Sequence, residues 1–141
     1  MQEIKNNILD IIRSCDTVLF STFSLNSYPE TRYMANIFNK NANDFPLYFV
    51  SRHSSNKIKQ IKNNKNICLY YFNQNTRKAI TLFGTSIELY NQKIKDDFWI
   101  DYLKNYGFQN KNDKDYTIIK FVPQKYKYFL STFEEKTGEL I

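Results

Sequence analysis

A serine-rich segment that ends in lysine, residues 51–57, holds side chains of the types that bind an anion. An apolar run ends at its first residue, and the spacing of Ile58 and Ile61 predicts a helix that begins near Ser55. Backbone N–H groups at a helix N-terminus attract anions. The serine hydroxyls would add donors and Lys57 a positive charge.

The surroundings of this segment are basic. No Asp or Glu occurs between Asp44 and Glu88, whereas seven basic residues do: Arg52, Lys57, Lys59, Lys62, Lys65, Arg77 and Lys78. An anion here would meet no acidic competitor nearby in sequence, and the ligand that fits is a phosphate monoester. The alternative is structural, because a serine before a short helix is a good N-cap and helix lysines usually form a solvated face.

A second candidate is Arg32, on a predicted strand before this segment. Arginine suits bidentate contact with a phosphate. Met34 and Asn36 follow at intervals of two, so all three side chains would share one face of the strand. They could hold a phosphate at one end and a flat ring further along. Alternatively, Arg32 is a surface residue paired with Glu30.

The elements that would position these residues are short strands with few helices. We predict an opening helix from the spacing of Ile4, Ile8, Ile11 and Ile12, and strands at 17–25, 32–38, 46–51, 67–72, 79–90, 116–122 and 126–133. A polar hairpin loop is expected at 39–44, a bend at Gly84, and a third helix capped by Asn91. The pattern predicts a closed or nearly closed antiparallel barrel and one domain spanning 1–141.

Composition limits the kinds of site and partner. A net charge of +6 and a pI of about 9.2 favour anionic partners. The cysteines, Cys15 and Cys68, have no metal-ligand spacing and His53 is the single histidine, so we expect no metal site. The N-terminal residues lack a signal-peptide pattern and no long apolar run occurs, so we expect a cytoplasmic protein.

Several motifs together resemble a known family. They are Val18-Leu19-Phe20-Ser21-Thr22, Arg32-Tyr33-Met34, Phe49-Val50-Ser51 followed by Ser55-Asn56-Lys57, Ile80-Thr81-Leu82-Phe83-Gly84-Thr85, the helix with Trp99, Asp101 and Leu103, and Asp113-Lys114-Asp115-Tyr116 before a strand that ends in Pro123. Over nearly the whole chain this pattern is similar to the pyridoxamine 5′-phosphate oxidase-like FMN-binding split barrels. The closing motif is most specific to their general stress protein branch.

The resemblance implies a mainly β fold with flanking helices, an antiparallel split β-barrel that binds FMN as a homodimer. By position, the phosphate contacts would be Arg32, Ser51, Ser55 and Lys57, with Asn56 between the last two. Met34, Asn36 and Val50 would lie along the ribityl chain and the isoalloxazine ring.

The chain also departs from the family pattern. Asn56 stands where an arginine is common, and Ala79 where the oxidase has a flavin-facing glutamine. No counterpart of the residues that grip pyridoxamine phosphate is found, so we do not expect vitamin B6 oxidation.

The expected function is that of a small FMN-dependent oxidoreductase, with NAD(P)H as donor and an unidentified small-molecule acceptor. No catalytic residue is identified. One alternative is a flavin-binding stress or storage protein without turnover. A nucleic-acid-binding barrel that uses residues 52–78 is a second, and haem binding a third, disfavoured by the single histidine. We expect Trp99 to pack on the barrel rather than to cover the flavin of a partner subunit. We expect His53 to face solvent rather than to bind the flavin phosphate, and both cysteines to be buried.

Overall fold

The structure is a computed structural model that describes residues 2–130 and 134–140. The helices are α1 (Gln2–Ser14), α2 (Asn56–Asn63) and α3 (Gln92–Phe98). The strands are β1 (Thr17–Phe23), β2 (Pro29–Ala35), β3 (Leu47–Arg52), β4 (Asn66–Phe72), β5 (Ala79–Leu89), β6 (Tyr116–Phe129) and β7 (Glu135–Glu139). Two 3₁₀ helices lie at Ile37–Asn39 and Asp101–Tyr106. Within the described ranges, no helix is long and apolar enough to cross a membrane.

The strands form one antiparallel sheet in the order β2-β1-β4-β5-β6-β3, and β7 pairs with the far end of β6. The two end strands, β2 and β3, come close to each other but form no ladder in the described part of the chain. A sheet that curls until its ends meet without pairing has the form of a split barrel. The prediction of a mainly antiparallel β protein with flanking helices is therefore confirmed.

The connection between β2 and β3 is not the predicted hairpin. β2 ends at Ala35. Beyond it, the side chain of Asn39 makes the hydrogen bonds to the edge of β3 that a neighbouring strand would otherwise make. The Asn39 side chain donates to the Tyr48 carbonyl and accepts from the Tyr48 N–H, both at 2.9 Å. Because a side chain satisfies this part of the β3 edge, the two strands diverge here.

The barrel interior is filled by apolar side chains at alternate strand positions and by one face of α1. Phe20 of β1 and Phe49 of β3 are fully buried and meet edge to face, with ring centroids 5.6 Å apart. Burying one such side chain contributes about 1.5–3 kcal/mol. This contact holds together two of the strands that carry the candidate site. A second apolar cluster, around Val50 and Tyr116, lies outside the barrel beneath α3.

The end of the sheet differs from the sequence prediction. The two closing strands are one continuous strand, β6, which passes through Pro123, and β7 was not predicted. Residues 131–133 of the last predicted strand lie outside the described residues. At Gly84, where a bend was predicted, the pairing of β5 with β6 shifts in register. A Cβ on Gly84 would lie 2.2 Å from the Val122 carbonyl oxygen, so the close approach of β5 and β6 requires glycine.

Candidate anion-binding site

Three of the predicted phosphate ligands meet where β3 passes into α2. The Lys57 Nζ donates to Ser51 Oγ at 3.0 Å and to Ser55 Oγ at 3.2 Å. The two hydroxyls are 3.4 Å apart. Ser51 is buried, whereas Ser55 and Lys57 are half-buried. A cation and two hydroxyls therefore converge at the surface of the protein.

The local fold explains this convergence. Ser51 lies two residues after Phe49, so its side chain points to the same inner face of the barrel. Ser55 occupies the N-cap position of α2, yet its hydroxyl makes no capping hydrogen bond and turns to Lys57 instead. The first-turn N–H groups, which have no partner within a helix, thus keep their partial positive charge beside the cluster.

Lys57 has an unusual electrostatic environment. Burial lowers its pKa to about 8, with further contributions from the positive charges of Arg32 and Arg52 and an opposing effect from Asp115. In residues 2–130 and 134–140, Lys57 forms no ion pair. An anion bound beside Lys57 would offset the cost of burying its charge, so the surroundings of Lys57 favour a ligand of negative charge.

Arg32 reaches the same end of the barrel from β2. It donates from Nη1 to the Phe20 carbonyl at 3.2 Å and to Thr22 Oγ1 at 2.8 Å. Its Nη2 donates to Gln60 Oε1 at 3.1 Å and lies 3.7 Å from Glu30 Oε1. The guanidinium is thus half-buried in a polar network rather than paired on the surface with Glu30 alone.

Sequence reasoning missed Thr22 and Gln60. Two local signals could have found them. Thr22 follows the buried Phe20 by two residues, which places it on the inner face of β1. Gln60 lies one helical turn after Lys57, on the same side of α2.

The loop between β3 and α2 is held by Asp115, the residue immediately before β6. The Asp115 carboxylate accepts from the Ser54 N–H at 2.8 Å, and its carbonyl accepts from the His53 N–H at 2.7 Å. Arg52 lies 3.3 Å from the same carboxylate and donates to the Tyr106 carbonyl at 2.8 Å. Asp115 belongs to the closing motif identified in the sequence, and the structure gives it a positioning role.

His53 is partly exposed, with 38% of its side chain accessible, but it also makes contacts that the sequence did not predict. Its Nδ1 lies 2.6 Å from Glu88 Oε2, and its ring stacks on Tyr90 with centroids 3.9 Å apart. Burial acts to raise the pKa of Glu88, but the His53 hydrogen bond and the charges of His53 and Lys62 outweigh it, so the pKa lies below its usual value. The side chain of His53 thus fastens the loop to β5.

The remaining predicted ligands occupy different surroundings. Met34 shares the inner face with Arg32, as predicted, and is buried in the main core. The Val50 side chain is buried in the second cluster, while its backbone polar groups point toward the gap beside β2, as those of Tyr48 do. Asn56 is the exposed first residue of α2.

Asn36 was expected on the Arg32 face, but β2 ends one residue earlier. Its amide is fully buried and donates to the Ile12 and Cys15 carbonyls at 2.8 Å each. Its Oδ1 accepts from Tyr71 Oη at 2.8 Å and from Asn39 Nδ2 at 3.1 Å. All its hydrogen-bonding capacity is used inside the protein, so the structure gives Asn36 a role in the fold and not in the cluster.

Two further expectations can be compared with the structure. Trp99 packs against Tyr116 with ring centroids 5.3 Å apart, which confirms its predicted packing. Cys15 is buried, as expected, whereas Cys68 is half-buried and lines an outer groove of about 610 Å³ together with Phe23 and Phe83. The prediction for Cys68 is therefore wrong.

The sequence of the chain was compared with protein-family models and with curated proteins. The chain matches the family model described as pyridoxamine 5′-phosphate oxidase like over residues 3–140. No curated protein sequence matches it.

Solved structures share the fold over nearly the full length. A Clostridium acetobutylicum protein related to general stress protein 26 is 22% identical, with a TM-score of 0.86, and the match covers 99% of this chain and 96% of that one. General stress protein 26 of Bacillus anthracis is 26% identical, with a TM-score of 0.78 and coverage of 98% and 99%. A pyridoxamine 5′-phosphate oxidase-related, FMN-binding protein of Nostoc punctiforme is 12% identical, with a TM-score of 0.72 and coverage of 99% and 96%.

Proposed function

Because the chain belongs to the pyridoxamine 5′-phosphate oxidase-like family, we propose that it binds FMN, with the phosphate held at the cluster of Ser51, Ser55 and Lys57. One relative of the same fold is described as FMN-binding, which supports this choice of ligand. The observation that carries the proposal is the geometry of Lys57. Its ammonium group has two hydroxyl neighbours, like-charged residues nearby and no ion pair in the described part of the chain.

The donor set fits a phosphate monoester. Lys57 would supply the charge, Ser51 and Ser55 two hydroxyl donors, and the first turn of α2 its backbone N–H groups. Arg32 would complete the set from the opposite side of the gap between β2 and β3. Asn56 adds an amide at the helix start but no charge.

We propose that the rest of the flavin follows the gap, along Met34 and the backbone of Val50. The outer face of the sheet supports a homodimer that would enclose the ring. Phe23, Tyr33 and Phe72 lie on this face and are 44%, 73% and 36% exposed. Several large apolar side chains exposed on one face of a sheet are typical of an interface.

The proposed activity is that of an oxidoreductase that takes electrons from NAD(P)H and passes them to a small-molecule acceptor. Bound FMN would supply the redox chemistry. The residues of the chain would bind the phosphate, orient the ring and exclude water from one of its faces. The described part of the cluster contains no carboxylate or imidazole in contact with Lys57, so we assign these residues to binding rather than to proton transfer.

The first experiment measures FMN retention. Purified protein is mixed with excess FMN, desalted, and examined by visible absorption, and the dissociation constants of FMN and of riboflavin are obtained by fluorescence titration. We expect FMN to bind more tightly than riboflavin, and Lys57→Met to remove the difference. Lys59→Met is the matched control, because Lys59 is an exposed lysine on the same helix.

Each part of the proposal has its own readout. Failure to retain FMN, or equal affinity for the two flavins, would refute the phosphate site. Light scattering coupled to size exclusion tests the homodimer. Consumption of NADH or NADPH with and without added acceptors distinguishes an oxidoreductase from a flavin-binding protein without turnover.

A further inference from the structure

The buried amide of Gln60 joins the candidate site to the hairpin of β1 and β2. Gln60 lies on α2, one turn after Lys57, and is 5% exposed. Its Oε1 accepts hydrogen bonds from Thr22 Oγ1 and from Arg32 Nη2. Its Nε2 donates to Glu30 Oε1 at 3.0 Å. One neutral side chain thus contacts both the guanidinium of Arg32 and the carboxylate nearest to it.

The chemistry of its neighbours fixes the orientation of this amide. Arg32 can only donate hydrogen bonds, and the ionised Glu30 can only accept them. The Gln60 oxygen must therefore face Arg32 and its nitrogen must face Glu30. The reverse orientation would place N–H against N–H and oxygen against oxygen.

The same network leaves one edge of Arg32 available. Both N–H groups of Nη1 are used, by the Phe20 carbonyl and Thr22 Oγ1, and one N–H of Nη2 is used by Gln60. The N–H groups that remain, on Nη2 and Nε, make no hydrogen bond in residues 2–130 and 134–140. Thr22 Oγ1 and Gln60 Oε1 are hydrogen-bonded to each other, so both face the Nη1/Nη2 end of the guanidinium. The remaining N–H groups of Nη2 and Nε then share the adjacent edge, which is the geometry that binds two phosphate oxygens in parallel.

Glu30 is the competitor for this edge. Its Oε1 lies 3.7 Å from Arg32 Nη2, an ion pair that is too long for a hydrogen bond and that a small movement would convert into a direct hydrogen-bonded pair. In the structure that carboxylate oxygen is instead bound by Gln60.

We propose that Gln60 is a positioning residue that keeps Glu30 from forming direct hydrogen bonds to Arg32, and so reserves the Nε/Nη2 edge of Arg32 for the phosphate of the ligand. This inference rests on the proposed function. Without the Gln60 amide, Glu30 and Arg32 would close into a bidentate pair, and the phosphate would have to displace a carboxylate. The loss would fall on ligands that carry a phosphate and spare those that do not.

The test compares FMN with riboflavin, which lacks the phosphate, at pH 7. The quantity measured is the ratio of the riboflavin dissociation constant to that of FMN. We expect Gln60→Met to lower this ratio by about tenfold, the worth of roughly one charge-assisted hydrogen bond. Adding Glu30→Gln to Gln60→Met should restore the ratio, because the competing charge is gone. Ile61→Val, which loosens the packing of α2 without touching the network, should leave it unchanged.

The outcomes separate this inference from the site itself. Parallel losses for both flavins, an unchanged ratio, or no rescue by Glu30→Gln would each overturn the role of Gln60. A wild-type ratio near one would instead refute the phosphate site, and Lys57→Met reports on that site independently. If Gln60→Met does not fold, Thr22→Val removes a hydroxyl that donates to Gln60 and accepts from Arg32. It should lower the ratio, and adding Glu30→Gln should restore it, because that change reverses only the competition from Glu30.

Discussion

Raising the pH through the pKa of Lys57 should weaken FMN binding. In the free protein burial lowers this pKa to about 8 from an ordinary 10.5, so the ammonium group begins to lose its proton near pH 8. A phosphate dianion stabilises the charged form and raises the pKa again. Binding therefore takes up a proton above pH 8, and the affinity should fall by up to about tenfold per pH unit there.

The assay is a fluorescence titration of FMN at constant ionic strength from pH 5 to pH 9.5. On the acid side the affinity should rise between about pH 5 and pH 7, because the second ionisation of a phosphate monoester lies near pH 6. Riboflavin should show neither limb. Lys57→Met should lose the alkaline limb, whereas Lys59→Met should retain it.

Two results would contradict this reasoning. One is a wild-type affinity for FMN that is constant from pH 7 to pH 9.5. The other is an alkaline limb that riboflavin shares, since a group that does not face the phosphate would then be responsible. The stability of the free protein provides an internal check of opposite sign. Because the unfolded chain binds more protons than the native one between about pH 8 and pH 10.5, this group makes the free energy of unfolding rise with pH in that interval.

Three substitutions test the supports of the site. Asn36→Ala should lower the free energy of unfolding, measured in urea, by about 2–3 kcal/mol, because several buried partners lose their hydrogen bonds. The folded fraction should keep its FMN affinity, and a selective loss of FMN binding would instead make Asn36 a ligand. Gly84→Ala should cost about 2 kcal/mol or more in the same assay, because its Cβ would lie 2.2 Å from the Val122 carbonyl oxygen, and a neutral result would show that the strands can move apart. Asp115→Ala should weaken FMN binding about tenfold by releasing the Ser54 N–H, as measured by titration at pH 7, and unaltered affinity would show that the loop holds its shape alone.

The sequence predicts those residues of the candidate site that lie close together along the chain. Ser51, Ser55 and Lys57 lie within one strand-to-helix passage, so a predicted strand end and a predicted helix start suffice to bring them together. The supports of that passage could not be found this way. Asp115 bonds to Ser54 across 61 residues of sequence, and this contact depends on the pairing of β3 with β6.

The errors in the predicted fold also come from contacts between distant parts of the sequence. The sequence prediction extended the alternating side-chain pattern of β2 one residue too far, to Asn36. No local signal shows that the Asn36 amide donates hydrogen bonds to carbonyl groups at the C-terminal end of α1. The predicted hairpin before β3 failed because the Asn39 side chain, rather than β2, bonds the edge of β3. Pro123 suggested a strand end, yet β6 continues through it at the register shift opposite Gly84, where the ladder is already irregular.

The pairing of β3 with β6 also determines when, during synthesis, the site comes into existence. Ser51 lies opposite Thr117, and the loop that follows it is fastened by Asp115. A ribosome that has already made Arg32 and Lys57 has not yet made β6, the strand that connects β3 to the rest of the sheet. Flavin loading would therefore wait until β6 has left the exit tunnel, and a nascent chain released before that point would remain colourless.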